Sequence, residues 1–302
     1  MLPVRPTYDA RPLFLAVLYE LGTGRSTPQQ IERPLDGKLD PETFSFSSTD
    51  GDWQWLQGHA EDWRPSLPDG LRRFFADDTP AFAVRVKQRD IELELFLRPA
   101  KDPVTYGTDG SAALRGRGVT INYVQRPRLE LIGTVRAGRG ASPILVHGDA
   151  TQDRHWMTAT KLGVRWMWLM ARFDDGRECM AYEIRTATGG RKAPADSGDA
   201  LAGGAWLIER EGTVRACNNW SLVPSKHVTT SRGLVPSCFC LTLPDDGIAF
   251  TIEHEQRTFV PTRALGELIE AGIWESPARL VDARGVTGGR FWADVMGPFG
   301  SV

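Results

Sequence analysis

Cysteine is scarce in this chain. Cys179, Cys217, Cys238 and Cys240 are the four in 302 residues, and only the last two are close, as Cys-Phe-Cys. That spacing is one residue short of the CxxC of a redox centre or zinc knuckle. The four are therefore read as reduced thiols of core or surface. An excess of one charge is lacking too: 36 Lys+Arg against 38 Asp+Glu leave a formal net charge of −2, with no long run of either sign. Such a balance offers no electrostatic footprint for DNA, RNA or an anionic membrane, so no nucleic-acid partner and no membrane insertion are expected. No apolar run approaches the roughly 18 residues of a membrane span. The apolar stretch 13–19 has Asp9 upstream, ends at Glu20 and is followed by no A-x-A site, so it reads as a short element packed on the body rather than a signal peptide. A cytoplasmic protein is expected. Walker, GxGxxG, HExxH, GxSxG and EF-hand patterns are missing, and with them any reason to expect a nucleotide, metal or other cofactor.

What is present is strand-like. Glycine (31) and proline (20) punctuate the whole chain. Between them, apolar residues alternate with polar ones in the period of half-buried antiparallel strands, at residues 81–86, 91–97, 119–124, 129–132, 165–170, 179–184, 204–209, 248–253, 278–281 and 289–295. Asp-Asp-Gly at 174–176 and 245–247, and Thr-Gly-Gly at 287–289, read as turns. Helical periodicity is rare, with residues 262–271 the best stretch. Residues 21–48 and 189–202 are expected as loops. Regular short strands with turns between them predict an all-β protein of sandwich or barrel type, long enough to bury a substantial core.

Ten tryptophans are the feature such a plan must explain. Alternation places Trp166, Trp168, Met170 and Arg172 on one strand face and Met167, Leu169 and Ala171 on the other. A face of two indoles, a thioether and one guanidinium suits an apolar ligand with one polar handle. Packing within a core or on a sheet surface is the more usual role of tryptophans at such positions. Upstream, His147, Asp149, Asp153 and His155 fall within nine residues, but their order matches no familiar ligand spacing and no metal is expected. An apolar, tryptophan-lined site raises a carboxyl's pKa by withdrawing water from the charged form, so an acid there keeps its proton at neutral pH. A cation in such a site can rest on indole faces, at about 0.5–2 kcal/mol per contact. Asp153, beside Arg154, fits a salt-bridged turn residue as readily as an acid.

Five segments occur in a telling order: Trp53-Gln-Trp55-Leu-Gln-Gly58-His59, then Tyr123-Val-Gln-Arg-Pro127-Arg128-Leu129 followed by Gly133, then the stretch from Val146 through Asp153 to Trp156. Next come Trp168 to Arg172 with the Asp174-Asp175-Gly176 turn and Met180-Ala-Tyr182-Glu-Ile-Arg185, and finally Trp274-Glu275. Taken together over residues 48–297, they resemble the hydroxyneurosporene synthase (carotenoid 1,2-hydratase) superfamily, which includes hydratases of carotenoid and isoflavonoid alkenes and, more distantly, fungal decalin-forming Diels–Alderases. The resemblance implies two lipocalin-like antiparallel β lobes with few helices and an apolar pocket between or inside them, and chemistry without a redox cofactor. It sets expected boundaries of an extension at 1–47, an N-terminal β lobe at 48–160 and a C-terminal lipocalin-like lobe at 161–302. It implies Asp153 as proton donor or relay with His155 as partner. Trp53, Trp55, Tyr123, Trp156, Trp166, Trp168, Met170, Arg172 and Trp274 are the expected substrate-binding residues. One departure stands out: the carotenoid hydratases use a histidine and a tryptophan where this chain has Val124, Gln125 and Arg126, which counts against carotenoid hydration itself.

The expected function is thus a cofactor-independent enzyme for a hydrophobic polyene, terpenoid or polyketide-like small molecule. Acid-assisted hydration or dehydration, isomerisation or cyclisation would be its reaction. The alternatives are a pericyclase, which works by restraining a folded polyene, and a non-catalytic lipocalin-like carrier.

Overall fold

The computed structural model describes the backbone at residues 15–20, 25–30, 37–40, 45–59, 61, 72, 80–87, 91–107, 110–114, 119–157, 164–186, 199–230, 233–254, 258–260, 272–281 and 287–297, and side chains between Lys38 and Glu253, with gaps. The protein is nearly all-β, as expected. β1 (Leu15–Glu20) and β2 (Arg25–Gln30) form a two-stranded sheet. A second sheet holds β3 (Gly37–Leu39), β4 (Phe46–Ser48), β5 (Trp53–His59), β6 (Pro80–Lys87), β7 (Ile91–Pro99), β8 (Val104–Thr105), β9 (Ser111–Leu114), β10 (Val119–Ala137) and β11 (Ile144–Met157). Its order is β11-β10-β7-β6-β5-β4-β3, with β8 and β9 paired to β10. The third sheet holds β12 (Val164–Phe173), β13 (Glu178–Thr186), β14 (Ala200–Ile208), β15 (Val214–Ala216), β16 (Ser221–Thr230), β17 (Gly233–Leu243), β18 (Ile248–His254), β19 (Thr258–Val260), β20 (Gly272–Val281) and β21 (Thr287–Gly297). Its order is β15-β14-β13-β12-β21-β20-β18-β17-β16, with β19 on β20. Among the described residues no helix is long and apolar enough to cross a membrane.

The chain forms two compact units that interleave. Gln29–Ala100 and Arg128–Gln152 belong to one, while Lys101–Pro127 and everything from Asp153 onward belong to the other. The boundary expected at residue 160 follows chain order, whereas these units exchange segments 101–127 and 128–152. In the first unit, alternation on β5, β6 and β7 buries Trp53 with Phe46 and Val86, and sets Trp55 against Phe82, Leu97 and Leu129. The opposite face carries cross-strand ion pairs such as Arg85–Glu94 at 3.0 Å and Arg98–Glu130 at 2.6 Å. Gly133 is required where β10 meets β7, since a Cβ there would lie 2.0 Å from the Glu94 carbonyl oxygen.

In the second unit the third sheet curls. Met167, Leu169, Ala171, Cys179, Ala181 and Leu207 from one end of its order pack against Leu222, Phe239, Leu241, Ile248 and Ile252 from the other. Contact between the two ends of a strand order requires a sheet bent round on itself. The other face of β12 and β13 is covered as well, by Val104 and Tyr106 and by Ile121 and Tyr123 of β10. A buried cation anchors this cover. Lys101, just past β7, donates from Nζ to Glu178, to the Gly176 carbonyl at 3.1 Å and to the Glu209 carbonyl at 2.7 Å, with its side chain 5% exposed and that of Glu178 0%.

Several local expectations change. Segments 119–124 and 129–132 belong to a single 19-residue strand running through Pro127. The proline is tolerated because it lies where β10 changes partner, from β8 at Val124 and Gln125 to β7 from Leu129 onward, so no ladder bond on that side needs its missing N–H. Thr287-Gly288-Gly289 opens β21 instead of forming a turn: Gly289 pairs with both Leu280 and Phe173, and a residue without side chain fits between two strands. The expected loop 21–48 contains β2, β3 and β4, and residues 200–202 begin β14. Asp174-Asp175-Gly176 is a turn, with Gly176 at φ 91°, and Gly247 closes the 245–247 turn at φ 63°. All four thiols are free, and Cys238 and Cys240 share a face opposite the core residue Phe239. The expected helix 262–271 lies outside the described residues.

Breaking a buried ion pair by removing one partner costs about 3–5 kcal/mol, because the other charge stays buried. Lys101→Met is therefore expected to lower the unfolding free energy by about 3 kcal/mol or more, read from urea denaturation curves. A loss below about 1 kcal/mol, the worth of a surface pair, would contradict the anchor.

Candidate active site

The tryptophan face of β12 is the starting point. Trp166, Trp168 and Met170 are buried there, in one cluster with Met180, Tyr182 and Ile184 of β13, Ile208 of β14, and Val104, Tyr106, Ile121 and Tyr123. Trp206 packs against it half-buried, its ring stacked on Tyr182 at 5.7 Å and meeting Tyr106 edge-on at 4.8 Å. Gly204 makes that pose possible, since a Cβ on it would lie 2.2 Å from the Trp206 ring. Tyr106 lies 5.4 Å from Tyr123, ring to ring, and its amide donates to the Tyr123 carbonyl at 3.3 Å.

Polar atoms inside this apolar cluster are few and specific. Ile121, Tyr123 and Gln125 share one buried face of β10 by alternation. The Tyr106 hydroxyl donates to Gln125 Oε1, deep inside. Tyr123 Oη donates to Asp153 Oδ2 at 3.0 Å. Two buried donors, Gln125 Nε2 and Trp168 Nε1, have no hydrogen-bond partner among the described residues. Burial pushes the Tyr106 phenol well above the ordinary tyrosine range, and Cys179, Asp153 and Glu178 add to the shift through their charges. Tyr182 is raised by burial as well. On the opposite face, burial lowers the Arg126 guanidinium, and burial together with Arg126 lowers that of Arg154.

The expected site residues thus divide. Tyr123, Trp166, Trp168 and Met170 come together in the cluster. Arg172, half-buried on the same face of β12, donates from Nη2 to the Pro127 carbonyl at 3.1 Å and lies across the ladder from Glu178. Trp53 and Trp55 sit in the core of the other unit. The side chains of His155, Trp156 and Trp274 lie outside the described residues. Asp153 differs from expectation in one respect: it is exposed, and among the described residues its link to the cluster is the Tyr123 hydroxyl. Its strand, β11, is the terminal strand in the order of its sheet, where water has access. His147 and Asp149 are exposed, and no group of three or more potential metal ligands occurs among the described residues. Sequence reasoning missed Tyr106 and Lys101, and it treated Gln125 only as a departure from the hydratases. No periodicity marks Lys101 or Tyr106, and Gln125, although in step with Ile121 and Tyr123, is of a polar type that alternation does not read as buried.

Comparison with known proteins bears out the resemblance. A match to the AttH-like family spans residues 28–290. Among solved structures, an AttH protein from Nitrosomonas europaea superposes with a TM-score of 0.67 at 18% identity, covering 92% of this chain and 79% of that one. Kievitone hydratase from Nectria haematococca superposes with a TM-score of 0.60 at 10% identity, covering 94% and 79%. No curated protein matches the sequence.

The raised Tyr106 phenol carries a stability signature. A group that holds its proton more tightly when folded contributes stability that is complete below the unfolded value near 10, and that contribution is lost as pH rises from there towards the folded value. Urea midpoints measured between about pH 9 and about pH 11 are expected to fall in the wild type, with Tyr106 contributing up to about 1.4 kcal/mol per pH unit. Tyr106→Phe is expected to lack that share of the slope. Parallel curves for the two proteins would contradict the assignment.

Proposed function

Because the chain belongs to the AttH-like family, within the carotenoid 1,2-hydratase-like lipocalin fold, we propose that it is a cofactor-independent enzyme of hydratase type. Its substrate is an apolar, alkene-bearing small molecule held against the aromatic cluster of the second unit. The observation that carries the reading is the Tyr123–Asp153 hydrogen bond, which links a carboxyl group in water to a phenol buried among aromatic rings. A proton taken up at Asp153 passes to Tyr123 Oη as the Tyr123 proton passes to an alkene carbon. The cation formed rests against the faces of Trp168, Tyr182 and Trp206. Water adds to the cation and sheds a proton, which returns to Asp153, so the enzyme gains and loses nothing over a cycle. Where an internal alkene captures the cation instead, a ring closes, and the new cation is quenched by adding water or by losing a proton that returns to Asp153. His155, two residues on along β11, is the proposed partner of Asp153. Support also comes from the fold shared with a protein named as a hydratase.

The route requires one carbon–hydrogen bond made from solvent in each turnover. Incubated in heavy water with prenylated alkenes, the wild type is expected to place one deuterium on carbon per product molecule, read by mass spectrometry. Asp153→Asn and Tyr123→Phe are each expected to lower that rate by about 10²-fold or more, the scale of general acid catalysis, with binding little changed. Full activity in either variant would remove the proton route.

A further inference from the structure

We propose that Gln125 Nε2 and Trp168 Nε1 form a donor subsite for the carbonyl oxygen of an otherwise apolar ligand. The inference rests on the reading above and narrows its substrate class, from any apolar alkene to one that also carries a neutral carbonyl.

Gln125 is fully buried and shares the inward face of β10 with Ile121 and Tyr123, while Trp168 is buried in the same cluster. Tyr106 and Gln125 bring three polar hydrogens, one hydroxyl and two amide. One is spent between them, whichever way the amide is turned, so two remain unspent. The Trp168 indole adds a third. Buried N–H groups without partners are rare in folded proteins and costly to keep, because each has lost its water. In the orientation the structure shows, with Tyr106 donating to Oε1, the unpartnered atoms of Gln125 and Trp168 are both donors, so the complementary ligand atom is an acceptor. A carbonyl oxygen has two lone pairs and no hydrogen, so it is the neutral group able to accept from two such donors. A carboxylate fits less well: Asp153 and Glu178 both act on Tyr106 as negative charges, so an added anion would be repelled. The aromatic rings beside the donors suit a flat or unsaturated hydrocarbon body.

A matched pair of probes tests this on the full chain: geranylacetone, and the hydrocarbon in which its carbonyl is reduced to CH2. Binding is followed by tryptophan fluorescence. The wild type is expected to bind the ketone about tenfold or more tightly than the hydrocarbon, the scale of one or two buried hydrogen bonds. Gln125→Leu should remove most of that preference and leave hydrocarbon affinity unchanged. Should that variant not fold, the indole N–H resonance of Trp168 in the wild type decides: the ketone shifts it downfield and the hydrocarbon does not. Equal affinities, binding of neither probe, a preference surviving Gln125→Leu, or an unmoved Trp168 resonance would overturn the subsite. The test reads no turnover and is therefore separable from the proton route. A fully active Asp153→Asn protein with an intact ketone preference would sink the route alone.

Discussion

Both faces of the β12–β13 hairpin are apolar, and much else in the second unit follows from having to bury both. Every residue from Trp166 to Ala171 and from Glu178 to Tyr182 is buried. A strand pair with one wet face needs a single core; this one needs two. Curling of the third sheet supplies the first, closing Met167, Leu169 and Ala171 against β16 to β18. The second has to come from elsewhere in the chain, and segment 101–127 provides it by crossing from one compact unit to the other. The buried Lys101–Glu178 pair, with two carbonyls sharing the cation, fixes the start of that crossing. Arg172 donating to the Pro127 carbonyl fixes its end.

A cover made in this way brings polar side chains with it, because β10 presents Tyr123 and Gln125 on the face it must bury. Most of that polarity is satisfied within the cover, by Tyr106 on Gln125 and by Asp153 on Tyr123. The remaining donors and the aqueous end of the Tyr123–Asp153 link give the cluster a chemistry that a purely apolar core lacks. On the proposed reading, one set of contacts thus serves both purposes: it closes a core and carries a proton from water to an apolar interior.

The sequence made the strands legible, because alternation survives in a single chain, and it made the tryptophan face of β12 legible for the same reason. The ordered segments from Trp53 to Trp274 were legible as a resemblance, and the family match spans all of them. Two kinds of fact were hidden. Interleaving of the units was one, since nothing local in residues 101–127 says which core they will cover; for the same reason Trp53 and Trp55 looked like partners of Trp168 although they pack in the other unit. The other was the part played by single polar residues. Lys101 and Tyr106 belong to no pattern, and Gln125 is a polar residue at the inward position of an alternation, so only the fold shows that all three are buried. Asp153 is the converse case, a carboxyl that the resemblance singled out and that the fold leaves exposed on β11, the terminal strand of its sheet.

On the proposed reading, the outer, aromatic face of β12–β13 receives the ligand, and not the core inside the curled sheet. Neighbouring methionines separate the two cleanly: Met170 and Met180 lie in the aromatic cluster, and Met167, three residues before Met170 on the same strand, lies in the curled core. Methyl-13C methionine NMR with geranylacetone as ligand reads both faces at once. The account predicts that the Met170 and Met180 methyl resonances move with saturation while Met167 stays in place. Movement of Met167 with Met170 and Met180 unmoved would contradict it.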